Sequence, residues 1–230
     1  NEEATIGEMV RAIPTRIAGV DAVEILVIDD GSTDRTVAEA RQAGAVVVQL
    51  PRHQGVAKAF VAGVREALAR NADLLVNTDA DFQYPPERVP DLIAPVLAGT
   101  ADVVIGDRLS AVLPPFSAGK MFLQRLGSRC ASALAGTALF DAASGFRAYN
   151  REAMESVIIH GEFSYSMESL IQAGTQGLRI GHVSIRTNPP RRPSRLFSST
   201  FEYLLQSGTT LLRAYLLYHP LRAFVGFGVV

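Results

Sequence analysis

The feature that most constrains this chain is a repeated alternation: a short β-branched apolar run, a turn bearing carboxylates, then a stretch with helical spacing. The run Val23-Glu-Ile-Leu-Val-Ile28 closes on Asp29-Asp30-Gly31, and residues 33–43 then read as a helix stopped by Gly44. The unit recurs as a strand at 45–49, a helix at 56–70, a strand at 74–77, a helix at 87–97 and a strand at 103–105. Runs this short and apolar are buried on both faces, so the alternation predicts an α/β fold whose mainly parallel sheet carries helices on both sides. Ligands in such sheets gather beyond the carboxyl ends of the strands, which is where the carboxylates stand here.

Past Gly106 the rhythm changes. Pro114-Pro115 makes a turn, 117–135 reads as one long helix, 146–149 as a short extended piece, 151–158 and 165–173 as helices, and 178–186 as a strand. The segment 186–195 has four arginines, three prolines and no acid, and predicts a loop. It divides a globular domain, 1–195, from an apolar helical appendage, 196–230. The uncharged run 223–230 is shorter than the roughly 20 apolar residues of a spanning helix, and reads either as a buried terminal helix or as the opening of a transmembrane segment. Arg213, His219 and Arg222 flank apolar stretches in the pattern of a helix lying at a membrane interface with its charges toward the cytoplasm.

At 230 residues and 48% hydrophobic content the chain buries a core of its own, and its formal charge of -1 gives no global attraction to nucleic acid or anionic lipid. Any polyanion site must therefore be local. A single cysteine, Cys130, excludes an internal disulfide framework. The chain opens at Asn1-Glu2-Glu3 without methionine, from which upstream sequence is expected.

Three constellations can carry chemistry. In Asp29-Asp30-Gly31-Ser32-Thr33-Asp34 the second half is turn and helix-cap chemistry. The two adjacent carboxylates are not, and they suit hydrogen bonds to a nucleoside. In Asn77-Thr78-Asp79-Ala80-Asp81-Phe82-Gln83 two carboxylates one residue apart at a strand's end can converge on one cation; magnesium takes one or two protein carboxylates and completes its sphere with water and substrate phosphates. Manganese takes the same ligands. The third is a set of arginines, Arg108, Arg125, Arg129 and Arg147, whose guanidinium forks match phosphate oxygens.

The order of these motifs, together with Val104-Ile-Gly-Asp-Arg108 and Ser144-Gly-Phe-Arg-Ala148, resembles family-two glycosyltransferases of the GT-A fold, closest to the polyprenyl-phosphate, dolichol-phosphate-mannose-synthase-like subgroup. The resemblance runs from residue 1 to about Arg195. It implies that Glu2, Asp29, Asp30 and Asp79 meet the nucleotide, that Asp79, Asp81 and Gln83 surround Mg2+ or Mn2+, and that Arg108, Arg125, Ser128 and Arg147 hold acceptor phosphate. Asp81, Asp141, Arg108 and Arg125 would form the catalytic set. It further implies a sheet strand ahead of Asn1. Two departures stand out: Arg52-His53-Gln54-Gly55 replaces the usual Arg-Asn-x-Gly, and the appendage resembles the lead-in to membrane helices.

The reaction so implied is inverting transfer of a sugar from a nucleotide-diphosphate donor to a polyprenyl phosphate at a membrane, with the active site on the cytoplasmic face. A lipid phosphate is already ionised near neutral pH and needs no general base, whereas a saccharide hydroxyl acceptor would need one, for which Asp141 is the candidate. The alternatives are such a saccharide acceptor in cell-envelope synthesis, a nucleotidylyltransferase, and a non-catalytic nucleotide-sugar scaffold. A processive synthase is disfavoured, since its Gln-x-x-Arg-Trp motif needs a tryptophan and the chain has none.

Overall fold

A computed structural model describes residues 1–110, 118–156, 158–159, 165–189 and 200–218. Within them the chain runs α1 (Ile6–Ala12), β1 (Leu26–Asp29), α2 (Thr36–Gln42), β2 (Val46–Gln49), α3 (Val56–Ala69), β3 (Leu74–Asn77), a 3-10 turn (Pro86–Arg88), α4 (Val89–Leu97), β4 (Val103–Asp107), α5 (Ala118–Ala135), β5 (Arg147–Asn150), α6 (Arg151–Ser156), α7 (Tyr165–Thr175), β6 (Ile180–Ser184) and α8 (Thr200–Tyr218). Each strand and helix expected between residues 23 and 186 is present, shifted at its ends by a few residues.

Local physics explains the boundaries. In α3 the residues Ala57, Phe60, Val64 and Ala67 recur at i, i+3, i+7 and i+10 and are all buried, giving the single apolar stripe that a core-facing helix needs. Gly55, at φ 91°, turns the chain into that helix, a conformation that glycine adopts without Cβ strain. Asn71, at φ 58°, ends it. Helix α4 starts after the Pro85-Pro86 pair, which delays its first turn to Val89 relative to the expected start at 87.

The strands form two groups rather than one continuous sheet. β1 and β2 pair in parallel, and a four-stranded sheet has the order β3-β5-β4-β6. β4 and β6 are parallel, while β5 runs antiparallel to both neighbours, with Asn77 and Ile105 each opposite Arg147. The sheet is therefore mixed: β3, β4 and β6 share one direction and β5 opposes them. β4 is buried along its whole length. An apolar cavity of about 1130 Å³ separates β1 from β3, lined by Leu26, Val27, Leu75 and Val76, with Met9 and Phe60 from the covering helices.

The reversal of β5 positions the site. Its amino end meets the carboxyl ends of β3 and β4, so the Ser144-Gly145 turn arrives at the same edge as Asp79 and Arg108. Behind that edge, Phe60, Tyr149, Leu170 and Ile171 lie in one core cluster, and Leu92, Val104, Phe146 and Ile185 in another on the opposite face. Among the described residues no helix is long and apolar enough to cross a membrane. The expected run 223–230 and the arginines at 191, 192 and 195 lie outside the described residues, as do His219 and Arg222.

Candidate active site

The loop after β1 is a fan of backbone donors. Asp29, buried, accepts the Ser32 amide at 3.0 Å, a turn that its short carboxylate favours. Asp30 accepts the amides of Gln54 at 2.7 Å and Gly55 at 2.8 Å, and so ties β1 to the start of α3. Backbone N–H groups thus offset much of the repulsion between the two carboxylates that the sequence suggested a ligand would relieve. The pair still faces a cavity of about 370 Å³, lined also by Glu2, Ile28, Ser32 and His53.

Beyond β3 the Asp79–Gln83 loop is held in an unusual conformation. Phe82 sits at φ 64°, a left-handed backbone uncommon outside glycine, and Asp81 accepts the Gln83 amide at 3.0 Å. Two bonds from Asn188 pin this loop: its amide donates to the Gln83 carbonyl at 2.9 Å and its side chain to the Phe82 carbonyl at 3.1 Å. On the other side the Thr5 hydroxyl donates to the Ala80 carbonyl at 3.0 Å. Strain in such a loop persists where the surroundings over-determine it.

Asp79 keeps an exposed face toward the cleft, yet protein surrounds it on the remaining sides. That burial, with the Asp81 and Glu2 charges added and Arg108 opposing, raises its pKa to about 6. Its open face exchanges with water, which tempers the effect. The donor set fits a divalent cation: two carboxylates one residue apart, with excess negative charge that a cation would relieve. Among the described residues no three acidic, histidine or cysteine side chains gather on one point, so such an ion would draw its remaining ligands from water, Gln83 or a bound phosphate.

Arg108 closes the opposite wall. Its backbone N–H and Nε donate to one Asp141 oxygen at 3.1 and 2.7 Å, and its Nη2 donates to the other at 2.9 Å. Asp141 is fully enclosed, and the Arg108 guanidinium lies 5.9 Å from the Tyr84 ring centre. Burial works against the Arg108 charge, but Tyr84, Asp141 and Asp79 outweigh it and raise its pKa above the ordinary value.

Under the Asp79–Gln83 loop lies a polar belt. Asn77 Nδ2 donates to the Gly145 carbonyl at 2.8 Å and to the Tyr165 hydroxyl at 2.7 Å, and the Gly145 amide donates to the Tyr84 hydroxyl at 3.1 Å. Burial first, then the Asp79 charge, push the Tyr165 phenol well above its usual pKa. A Cβ at Gly145 would stand 3.1 Å from that hydroxyl and 3.4 Å from the Asp79 carboxylate. The site needs this glycine for space.

Of the residues singled out in the sequence, Glu2, Asp79, Asp81, Gln83 and Arg108 share this edge, with Asp29 and Asp30 across the cleft. Three are placed otherwise. Ser128 is buried and its hydroxyl accepts the Ala142 amide at 3.0 Å, tying α5 to the turn before β5. Arg147 is fully buried and donates to the Ser166 and Ala142 carbonyls and the Ser169 hydroxyl at 2.7, 2.9 and 2.9 Å, so it braces α7 against the sheet. Arg125 is exposed on α5. Asn77, Tyr84 and Tyr165 were not among the sequence candidates. Asn77 carried a weak signal as a polar end to an apolar strand; Tyr165 carried none.

The mixed α/β sheet, with paired carboxylates and an arginine at its carboxyl edge, has the GT-A fold of its solved structural neighbours. The chain matches glucosyl-3-phosphoglycerate synthase from Mycobacterium tuberculosis in complex with phosphoglyceric acid at 26% identity and a TM-score of 0.69, over 93% of this chain and 76% of that one. The same synthase in complex with Mn2+, UDP-glucose and phosphoglyceric acid gives the same values. Among curated relatives, the dolichyl-phosphate hexose transferase of Haloferax volcanii is 34% identical over 80% of this chain and 78% of its own. The undecaprenyl-phosphate 4-deoxy-4-formamido-L-arabinose transferase of Pseudomonas aeruginosa is 30% identical over 99% of this chain and 68% of its own. The profile of glycosyl transferase family 2 matches residues 1–158, and the chain belongs to that family.

Proposed function

We propose that this protein is a metal-dependent, inverting glycosyltransferase that moves a sugar from a nucleotide-diphosphate donor to a polyprenyl phosphate at a membrane surface. One observation carries the choice of acceptor. A hydroxyl acceptor requires a general base, and Asp141, the candidate for that role, is fully enclosed with both oxygens engaged by Arg108. A phosphate acceptor is ionised already and asks only for a cation to hold it; Arg108, at the same edge and sharing its charge with Asp141, is the candidate. The names of the Haloferax and Pseudomonas relatives point the same way.

In this reading the cavity at the end of β1 takes the nucleoside, and Asp79 and Asp81, with Gln83, hold the divalent ion. Bound there, a divalent cation supplies Lewis-acid stabilisation of the departing diphosphate. Arg108 orients the attacking phosphate oxygen opposite the leaving group, which predicts inversion at the anomeric carbon, and the Asn77–Tyr165 and Tyr84–Gly145 bonds keep Asp79 aimed into the cleft. Arg125 would meet phosphate only at the outer surface of α5.

Exposed Phe122 and Leu126 on α5, with Leu212 and Leu216 on α8, support contact with a membrane, and exposed Arg125, Arg129 and Arg213 suit its anionic face. We place the active site on the cytoplasmic side. The test is transfer from a panel of nucleotide sugars to a polyprenyl phosphate with Mg2+ or Mn2+. An organic-extractable glycolipid that vanishes in Asp81→Ala supports the reading; transfer only to a soluble sugar, or none by folded protein, overturns it.

A further inference from the structure

The cavity beyond β1 contains an acceptor that the family resemblance does not supply. The two carboxylates expected to read the nucleoside already take protein donors: Asp29 accepts the Ser32 amide at one oxygen, and the two Asp30 oxygens take the Gln54 and Gly55 amides. A third donor also reaches Asp30. His53 Nδ1 lies 2.8 Å from Asp30 Oδ2 and 3.1 Å from the Asp30 carbonyl.

Both of those partners are acceptors, so the proton of a neutral imidazole must sit on Nδ1. The hydrogen bond at one ring nitrogen fixes the state of the other. Nε2 is thereby left with a bare lone pair, and it has no partner among the described residues. The ring is 81% exposed in its side chain, yet it lines the 370 Å³ cavity with Asp29, Asp30, Ile28 and Glu2, a volume suited to a small-molecule site. Gly31, at φ 86°, allows the approach: a Cβ there would lie 3.2 Å from the His53 backbone nitrogen.

We infer that His53, held by Asp30, is the residue that reads the base of the nucleotide donor, accepting a ring N–H at Nε2. This rests on the donor site proposed above and specifies its ligand. Uracil presents N3–H and guanine N1–H; cytosine and adenine present bare ring nitrogens at the corresponding edge, and two lone pairs facing each other are repulsive. An Nε2 acceptor set against that ring position therefore favours a uridine or guanosine diphosphate over a cytidine or adenosine one, whose only donor there is the neighbouring amino group. A site built around one hydrogen bond discriminates by leaving the wrong partner unpaired.

The experiment is calorimetric titration of the whole chain with UDP, GDP, CDP and ADP in turn, with MnCl2 at pH 8, above the ordinary imidazole range of about 6.5. UDP or GDP should bind at least about tenfold more tightly than CDP and ADP, one good hydrogen bond's worth of preference. In His53→Ala that preference should fall below about threefold, with CDP affinity little changed. The arms separate uracil from guanine. A uniform loss across all four nucleotides would assign His53 to holding the loop, and an unchanged preference would assign base reading to another group; either overturns the inference. If the wild-type chain binds none of the four, the donor site itself fails, and this inference with it.

Discussion

Replacing Asp141 separates two roles that the sequence left open. In the structure it is a strut: it is fully enclosed and accepts three bonds from Arg108 at 2.7, 2.9 and 3.1 Å, two of them from the guanidinium. In Asp141→Asn the amide nitrogen cannot accept, so at least one Arg108 donor faces another donor, and a buried cation loses its counter-charge. Breaking a buried pair from one side costs about 3–5 kcal/mol. For a chain of this size each kcal/mol moves Tm by roughly 2–4 °C, so a fall of roughly 6–20 °C is expected. Replacing both partners, with Arg108→Met and Asp141→Leu, removes the stranded charge and should recover most of that stability while leaving transfer abolished, because Arg108 is the proposed phosphate clamp. Urea unfolding and a thermal melt read both variants. If Asp141→Asn loses turnover but stays within about 0.5 kcal/mol of the parent chain, Asp141 is working as a base and the strut reasoning fails.

Three further outcomes follow from the packing. Gly174→Ala puts a Cβ 2.7 Å from the Ala135 Cβ where α7 crosses α5, and overpacking of this kind should cost about 1–3 kcal/mol in urea unfolding; a neutral result would mean that the two helices part easily. Gly145→Ala crowds the Tyr165 hydroxyl and the Asp79 carboxylate, so Mn2+ affinity measured by electron paramagnetic resonance should fall about tenfold, corresponding to about 1.4 kcal/mol, with the fold intact by circular dichroism. Asp102 is held below its ordinary pKa first by the side-chain bond from Arg179, with Asn150 adding to it. Its folded value is the lower one, so its contribution is present above about pH 4 and is lost as the pH falls through the folded value. Asp102→Asn should therefore be less stable than the parent at pH 6, with the gap closing toward pH 3; a gap that stays constant refutes the assignment.

Much of the fold was legible because each strand up to β4 is a bounded apolar run and each following helix has one apolar stripe, as α3 shows. The reversal of β5 was not. Arg147-Ala-Tyr-Asn150 is four residues long, and nothing in so short a run states its direction or its neighbours; those come from Asn77 and Ile105 opposite Arg147. That Asp79 and Asp81 stand together just past the end of β3 was readable from the sequence alone, since it depends on local spacing. Residues whose role depends on burial were not. Arg147 and Ser128 look like phosphate ligands in a string of letters, yet both lie inside, bonded to helices and turns. Tyr165, 88 positions from Asn77, is joined to it only by the fold.

The cavity between β1 and β3 has a consequence for how binding and rigidity are linked. Asp29 and Asp30 stand at the end of β1 in the two-stranded group, Asp79 and Asp81 beyond β3 of the four-stranded sheet, and among the described residues no ladder bond joins β1 to β3. Their separation is set by side-chain packing through α3 and by single bonds such as Thr5 to Ala80. A donor that spans both carboxylate pairs would act as a crossbeam between the two loops, so amide exchange at residues 31–34 and 80–83 should slow together when nucleotide and cation are both present, and less when either is added alone.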